Sequence, residues 1–578
     1  MPPTRPSHTP RRGGRRCWSA SPRWARTPAV RCAPGTESQT NRERSRRRPA
    51  GRWCRRRAGR CDRPDRRTDM DENGVCPVTA ATGTGGGARV KDLPTAPMNI
   101  KAGTEFFQIV LQRAGDISDR WIEKGEVFRF PFPRVPWPLS IAVHAYADGW
   151  TAEAVSVNSA RLARELYTRR LAALDQEDGK KSLSFVLGAQ SPFLLRGPEH
   201  AQVRRAMASD LTPQAVERYR KTSVAVVDRM IDALPLGEEV LMHDFYSRVT
   251  QEIILRVVLG LDDGAELEEF KKLLYAVGSH ITPSVKRLPG YMASAAFTMT
   301  ALSGKALGDR TDTALRAVSP RAWWMKRHAD RLLYRRIREL RAKPNDSMAS
   351  RIIAFAETQS PAWTDRRIRD TLSSLLMAGH DTSVNAYSWA TDYLLHDARA
   401  RELLVTEARQ GVSDRYMRAV NLEALRLRPP VWGLVPVADH DFELGGYRIR
   451  KGSVVFVAAS AVNCDPAVYE DPYRFKPERF LDVEPDAPYG FITFGAGRHR
   501  CPGTAFYDTE SRLVLHRVFG RLEMEPVLPQ VGTTAMSFAM LNRPAERTPV
   551  IVRARVPADG VPWYRPVRGE AVAGRPTG

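Results

Sequence analysis

Cysteine is scarce in most of this chain. Of its seven cysteines, five lie at or before Cys76, and only Cys464 and Cys501 follow. So few thiols in a long chain do not form a disulfide framework. The composition indicates a reducing compartment, so we expect a cytoplasmic protein in which a lone thiol is free to act as a ligand or a nucleophile.

Long apolar runs are also missing. No stretch reaches the ~18 consecutive apolar residues of a membrane-spanning helix. The N-terminus lacks the apolar core of a secretory signal. We therefore expect no membrane span.

Lysine is absent from the first 69 residues, and acidic residues are few there. This segment holds 21 Arg and five acidic residues, so it carries most of the net charge of +24 and leaves +8 for the rest. Its Arg, Pro, Gly and Ser cannot bury enough apolar surface to fold, so we expect residues 1–92 to be a disordered Arg-rich region. One interpretation is a nucleic-acid-binding arm. We favour the other, a start assigned too far upstream, with Met70 or Met98 as the true start, and expect no nucleic-acid partner.

From about residue 93 the pattern is mainly helical, with a small β region. Apolar residues at helical spacing predict helices at 104–123, 213–233, 239–260, 320–343, 365–396, 398–410 and about 503–520. Strand patterns occupy 125–158, 431–464, with a turn at Gly445–Gly446, and 521–555. No linker or repeat interrupts residues 93–555, so we expect one mainly α domain, followed by a tail at 556–578. A domain of this size suggests a bulky cofactor at its centre.

The segment FITFGAGRHRCPGTAF places Cys501 in a Gly- and Arg-rich loop before a predicted helix. We expect Arg498, His499, Arg500 and the helix N-terminus to lower the pKa of the thiol and favour the thiolate, which is the form that binds metals. Glycines such as Gly497 let the backbone approach a flat ligand closely. Taken alone, such a cysteine is more often a buried, inert thiol.

The same segment resembles the heme-binding loop of the cytochrome P450 family, Phe-x-x-Gly-x-(Arg or His)-x-Cys-x-Gly. Every fixed position is present: Phe494, Gly497, His499, Cys501 and Gly503. The resemblance implies heme b (iron protoporphyrin IX), with Cys501 as the iron ligand. It also implies the cytochrome P450 fold, in which the heme lies between an oxygen-binding helix and the Cys loop.

Two segments that precede the Cys501 loop, EALRLRPP and FKPERF, resemble the family's buried ion triad. They supply Glu423 and Arg426, three residues apart on one helix, and Arg479. Buried charges persist only when they are fully paired. We therefore expect a structural role, which positions the loop that carries Cys501.

The segment LLMAGHDTSVNAY resembles the family's oxygen-binding helix, (Ala or Gly)-Gly-x-(Asp or Glu)-Thr. The small residues Ala378 and Gly379 are expected to leave room for the cofactor and dioxygen. Asp381 and Thr382 are expected to distort the helix, hold water and deliver protons. The alternative interpretation is an Asp–Thr cap that starts a new helix.

The segment GPEHAQVRR resembles a helix that binds heme propionates in the bacterial branch of the family. His200 and Arg204 match its two contact positions, and His499 would join them. Two positions depart from the family pattern. Val437 stands where an arginine usually reaches a propionate, and Tyr507 stands where a small residue is usual.

The resemblance implies a monooxygenase that inserts one oxygen atom from O₂ into a hydrophobic small molecule. The pocket-lining segments would be 182–196, 370–382, 431–436 and 535–541, which are mostly apolar. No flavin or nicotinamide motif is evident, so electrons would come from another protein, and the resemblance implies a ferredoxin and its NAD(P)H-dependent reductase. Arg428, Arg498 and Arg500 would form a basic docking face or would simply be solvated.

Three alternatives remain open from the sequence. A peroxide-driven peroxygenase would not need the Asp381–Thr382 pair. A heme-based sensor would lack that pair. A basic nucleic-acid-binding protein with a vestigial heme fold would bind DNA without residues 1–69.

Overall fold

Helices make up most of the protein in the computed structural model, and small sheets lie beside them, which confirms the predicted fold class. The structure describes residues 91–94, 121–131, 153–177, 180, 183–281, 316, 320–485, 490–537 and 541–562. These residues all fall within one compact unit, Gly86–Gly578. The Arg-rich N-terminal region, most of the predicted helix at 104–123 and most of the C-terminal tail lie outside the described residues.

The helices follow the predicted order. They are α1 (Ala160–Arg169), α2 (Ser184–Leu187), α3 (Gly197–Ala208), α4 (Pro213–Asp232), α5 (Met242–Leu259), α6 (Ala265–Ile281), α7 (Pro320–Ala342), α8 (Met348–Glu357), α9 (Asp365–His396), α10 (Ala398–Gln410), α11 (Arg415–Leu427), α12 (Ala459–Asn463) and α13 (Thr504–Arg521). Side-chain caps set several of the boundaries. The Thr364 hydroxyl accepts a hydrogen bond from the Arg367 backbone N–H at the start of α9, which satisfies a donor that the helix leaves free.

The strands are short. They are β1 (Val127–Pro131), β2 (Glu153–Val157), β3 (Leu174–Asp175), β4 (Glu239–Leu241), β5 (Gly433–Leu434), β6 (Val437–Ala438), β7 (Phe442–Leu444), β8 (Tyr447–Ile449), β9 (Val454–Ala458), β10 (Leu522–Pro526), β11 (Thr534–Ser537), β12 (Leu541–Pro544) and β13 (Pro549–Arg555). The largest sheet has the order β1-β2-β9-β6-β3, with β5 paired to β9, and β2 runs parallel to β9. The predicted turn at Gly445 and Gly446 joins β7 to β8, and both glycines have positive φ.

Two predicted boundaries are wrong. The helix predicted from residue 239 begins at Met242, because residues 239–241 form β4, in which Val240 pairs with Val550 of β13. In the predicted strand region 431–464, the run SVVFVAAS (453–460) is a strand only as far as Ala458, and α12 follows at once. In both places pairing with a distant strand decides the conformation, which local spacing cannot show.

Helix α9 is the centre of the helical part. It is 32 residues long, and most of its second half, from His380 to Leu395, is buried. Helix α5 packs along it, and both belong to the largest apolar cluster of the described residues. None of the described helices combines the length and the apolar character needed to cross a bilayer.

A buried ion cluster lies at the end of α11. The Arg426 guanidinium donates to both carboxylate oxygens of Glu423, at 2.7 and 2.8 Å, and neither side chain is exposed to solvent. Arg479 Nε donates to Glu423 Oε1 at 3.3 Å, and the Lys476 backbone N–H donates to the same oxygen at 2.9 Å. The three charged residues singled out in the sequence therefore lie together.

The cluster is tied to the loop that leads to Cys501. Arg426 donates to the Asn463 carbonyl at 3.1 Å. The Asn463 side chain accepts a hydrogen bond from the Ile492 backbone N–H at 2.9 Å and donates to Thr493 Oγ1 at 2.8 Å. These bonds fix the start of the loop against the end of α11. Sequence analysis missed Asn463, which carries no motif.

Replacing one carboxylate tests this cluster. Glu423→Gln leaves Arg426 without its counter-charge in a dry interior, so we expect the free energy of unfolding to fall by about 3–5 kcal/mol. Urea denaturation followed by circular dichroism measures it. Glu525→Gln is the matched control, because the Glu525–Arg553 pair is exposed and should be worth less than about 1 kcal/mol. Equal losses in the two variants would contradict a special role for the buried cluster.

Candidate functional site

The loop before α13 turns tightly and holds Cys501 at its end. Gly495 and Gly497 have φ values of 74° and 68°, in the left-handed region that favours glycine. A Cβ atom on Gly497 would lie 2.5 Å from Gln176 Nε2, so a side chain is excluded there for a second reason. The Cys501 backbone N–H donates to the Phe494 carbonyl at 2.8 Å and closes the loop.

The thiol of Cys501 is deeply enclosed, yet the residue retains accessible surface. It therefore faces internal space. Burial raises the pKa of the Cys501 thiol, while the Gly503 backbone N–H and the positive charges of Arg204 and Arg500 act in the opposite direction. The cations act in the predicted direction, but the expected net lowering of the pKa is wrong for the protein alone, because the cost of desolvating a thiolate exceeds their effect.

Basic side chains from two distant segments gather beside Cys501. The His200 ring of α3 stacks on the His499 ring at a centroid distance of 4.2 Å. Arg204, one turn further along α3, donates to the Arg500 carbonyl at 2.8 Å. The structure thus brings together the residues that the sequence suggested for carboxylate binding.

Two further residues belong to this cluster. The Glu177 carboxylate lies 2.7 Å from His499 Nε2. Burial raises the Glu177 pKa, but the bond and the attraction to His499, together with further hydrogen bonds, outweigh burial, and the pKa falls to about 2. Burial lowers the pKa of Lys180 to about 8, against the attraction of Glu177. Sequence analysis missed Glu177 and Lys180, because the segment LDQEDGKK has no spacing motif and only the fold places it here.

The charge of His200 depends on its surroundings. Burial, together with the positive charges of His499 and Arg204, lowers its pKa to about 4. In the protein alone the His200 ring is therefore neutral at pH 7. A carboxylate placed beside it would favour the charged form again. The expectation that His200 and Arg204 are both positively charged holds only when a negatively charged group is bound beside them.

Helix α9 runs unbroken from Asp365 to His396, so the interpretation of Asp381–Thr382 as a cap of a new helix is wrong. The expected distortion of the helix is absent from the described backbone. Thr382 Oγ1 donates to the Ala378 carbonyl at 2.7 Å, and Ala378 is exposed in the middle of this otherwise enclosed helix. The exposed surface of Ala378 indicates open space beside this face of α9.

Gly379 lies against helix α5. A Cβ atom there would lie 2.8 Å from Ile254 Cδ1 of α5. The missing side chain therefore lets Ile254 pack closely against α9 at this point.

The acidic residue of this helix has polar neighbours that the sequence did not reveal. Asp381 Oδ1 lies 3.6 Å from His380 Nε2, and His380 Nδ1 lies 2.8 Å from Thr250 Oγ1 of α5. His243 Nε2, also on α5, lies 3.2 Å from Asn385 Oδ1. These groups form a polar strip between the two helices.

Two sequence-predicted positions differ from the family pattern or from expectation in their surroundings. Val437 is buried in β6, where it pairs with Val454, and so supplies no positive charge. The Arg428 guanidinium lies 5.4 Å from the ring of buried Trp389. Arg428 is half-buried, whereas Arg498 and Arg500 are exposed. Parts of the predicted pocket segments, including residues 538–540, lie outside the described residues.

The donor set fits an iron porphyrin. A soft thiolate ligand suits heme iron, and guanidinium and imidazole groups suit the two carboxylates of such a cofactor. The surface at Ala378 would accommodate a flat ring.

Comparisons with known proteins agree with this fit. The sequence profile of the family described as Cytochrome P450 matches residues 149–548. Cytochrome P450 135B1 of Mycobacterium tuberculosis is 29% identical over 357 residues, which are 60% of this chain and 71% of that protein. Cytochrome P450 137 of the same species is 29% identical over 367 residues, or 62% and 72% of the two chains. Cytochrome P450 135A1 is 26% identical over 404 residues, or 69% and 84%. The chain thus belongs to the cytochrome P450 family of heme-thiolate monooxygenases, which oxidise small molecules with O₂ and electrons from redox partners.

Proposed function

We propose that this protein binds heme b through the Cys501 thiolate and oxidises a hydrophobic small molecule. The observation that carries the proposal is the enclosed but accessible thiol of Cys501 beside the His200, Arg204 and His499 cluster. The heme supplies dioxygen binding and activation, promoted by electron donation from the sulfur. In this domain, residues 93–555, the protein supplies the ligand, the orientation and the control of protons.

Carboxylate contacts orient the cofactor in this proposal. Arg204 supplies a permanent positive charge, and His200 and His499 supply ring N–H groups. Lys180 can add a further charge. Because Val437 supplies none, cofactor binding depends more on this cluster than the usual family pattern implies. Gly497, Phe494 and Gly503 shape the loop around the sulfur.

Proton delivery is assigned to Thr382 and Asp381. The Thr382 hydroxyl donates to the Ala378 carbonyl, and its free lone pairs can accept from water or orient it on the exposed face. Asp381 is half-buried beside His380, so its carboxylate can exchange protons between this face and the polar strip. This pair favours dioxygen as the oxidant over peroxide, which needs no such delivery.

The substrate and the electron donor are assigned by their chemistry. Partly exposed apolar side chains occur in the predicted pocket segments: Phe193, Leu375, Val431, Leu434 and Val435. Such a lining suits an apolar substrate. Arg498 and Arg500 are exposed on the Cys501 loop, which favours an acidic ferredoxin, supplied with electrons by an NAD(P)H-dependent reductase.

Removing the sulfur tests the ligand. In Cys501→Ala the iron loses its thiolate, so we expect the red-shifted Soret band of the reduced carbon-monoxide complex to disappear. Absorption spectroscopy of the heme-loaded protein measures this. Cys464→Ala is the control, because Cys464 is the other cysteine among the described residues and is buried at the end of α12. A red-shifted band in Cys501→Ala would overturn the proposal.

Removing the hydroxyl of Thr382 tests proton delivery. We expect Thr382→Ala to keep the Soret band but to convert much of the electron flow into hydrogen peroxide instead of product. The ratio of product to NAD(P)H consumed measures this. Ser388→Ala is the control, because Ser388 makes the same bond to a carbonyl four residues earlier on α9 and lies outside the predicted pocket segments. Full coupling in Thr382→Ala would remove this residue from the proton path.

Removing one positive charge tests cofactor anchoring. We expect Arg204→Gln to release heme faster, since a charge-assisted bond to a carboxylate contributes about 1.5–3 kcal/mol. Transfer of heme to apomyoglobin measures the rate. Arg205→Gln on the exposed face of the same helix should release heme like the native protein. Equal rates in the two variants would rule out the anchoring role of Arg204.

A further inference from the structure

A line of aromatic rings leads from the Cys501 loop into the core. The Phe494 ring lies 5.8 Å from the Tyr507 ring of α13. Tyr507 stacks on Tyr387 of α9 at 5.9 Å, with ring planes 17° apart. The Tyr246 ring of α5 follows at 5.5 Å from Tyr387. Three consecutive rings in this line are therefore phenols, and the first of them touches the heme-binding loop.

A carboxyl group lies at the centre of this line. The Tyr387 hydroxyl donates to Glu510 Oε2 at 3.1 Å, and both side chains are buried. Within the described residues, Tyr387 is the side chain that hydrogen-bonds Glu510. Burial raises the Glu510 pKa to about 7, so the carboxylate and the acid are both populated near neutral pH. Oxygen activation as proposed above makes no use of Glu510.

We propose that Tyr507 and Tyr387 form a redox-active pair that takes up one oxidising equivalent from the heme site, with Glu510 as its proton acceptor. The inference rests on the proposed binding of heme through Cys501, which places the oxidant next to the Phe494 loop. The role is to remove an oxidising equivalent from the site when no substrate is present to consume it.

The step balances in electrons and protons. Tyr387 would give one electron, through the stacked ring of Tyr507, to the oxidised heme, which would be reduced by one electron while Tyr507 keeps its phenol proton. The phenol O–H bond of Tyr387 breaks, and an O–H bond forms on Glu510 Oε2. The products are a neutral tyrosyl radical and a neutral carboxylic acid.

The surroundings favour this coupled step over simple ionisation. Burial raises the pKa of Tyr387 and of Tyr507 well above the ordinary value, so neither phenol ionises before it is oxidised. A charged radical in the same dry interior would also be costly. An acceptor within hydrogen-bond distance removes the proton as the electron leaves, which avoids both charged states.

Freeze-quench electron paramagnetic resonance tests the proposal. The ferric, heme-loaded full chain is mixed with peracetic acid without substrate. We expect an organic radical signal that narrows when the protein carries ring-deuterated tyrosine. The signal should be largely lost in Tyr387→Phe and Tyr507→Phe and absent from the double variant. Tyr416→Phe is the matched control, because this buried tyrosine also donates to a carboxylate, Glu478, yet makes no ring contact with the line.

The proton acceptor has its own signature. The titratable groups that face Glu510 are Tyr387 of α9 and Tyr507 of its own helix. The carboxylate accepts the proton, so the radical yield of the native protein should rise as the pH increases through about 7. Glu510→Gln keeps the shape of the side chain but cannot titrate, so its yield should be low and independent of pH.

The outcomes separate this inference from the proposed function. Loss of the red-shifted Soret band of the native carbon-monoxide complex means that the proposed heme ligation is wrong. An intact band with a tyrosyl signal that persists in the double variant, or that falls equally in Tyr416→Phe, overturns the redox pair alone. A pH-dependent yield in Glu510→Gln overturns the role of Glu510.

Discussion

The buried bond between Arg426 and Glu423 holds the rest of the site in place. Charges without solvent contact are stable only when every polar atom finds a partner, and Arg426 meets this condition by donating to Glu423 and to backbone carbonyls at the end of α12 and on the irregular segment that follows it. One of these carbonyls belongs to Asn463, whose side chain then fixes the start of the Cys501 loop. A segment with almost no regular structure thereby has a defined position.

The electrostatics of the site are complementary to what the family binds there. Burial raises the pKa of the Cys501 thiol and lowers those of His200 and Lys180, so the protein alone disfavours charge at all three groups. Iron beside the sulfur and carboxylates beside the cations would reverse each shift, because each would place the opposite charge next to the group. Cofactor binding and protonation are therefore coupled at this site.

Helix α9 has different roles on its different faces. At Gly379 the close approach of Ile254 requires the absence of a side chain, and at Ala378 the small side chain leaves open surface. Further along, Tyr387 meets Tyr507 and Glu510 of α13. One helix thus joins the open surface at Ala378, the packing against α5 and the aromatic line.

Local patterns in the sequence determined the fold class, most helices, the Cys501 loop and the family, because periodicity, glycine positions and motif spacing act over a few residues. The tertiary structure decided what depends on distant chain segments. It placed Lys180 and Glu177 beside His499, linked Asn463 to the loop, turned residues 239–241 into a strand and paired Tyr507 with Tyr387. It also reversed the expected direction of the Cys501 pKa shift. The neighbouring arginines could be read from the sequence, but the burial that outweighs them arises only when the helices pack around the thiol.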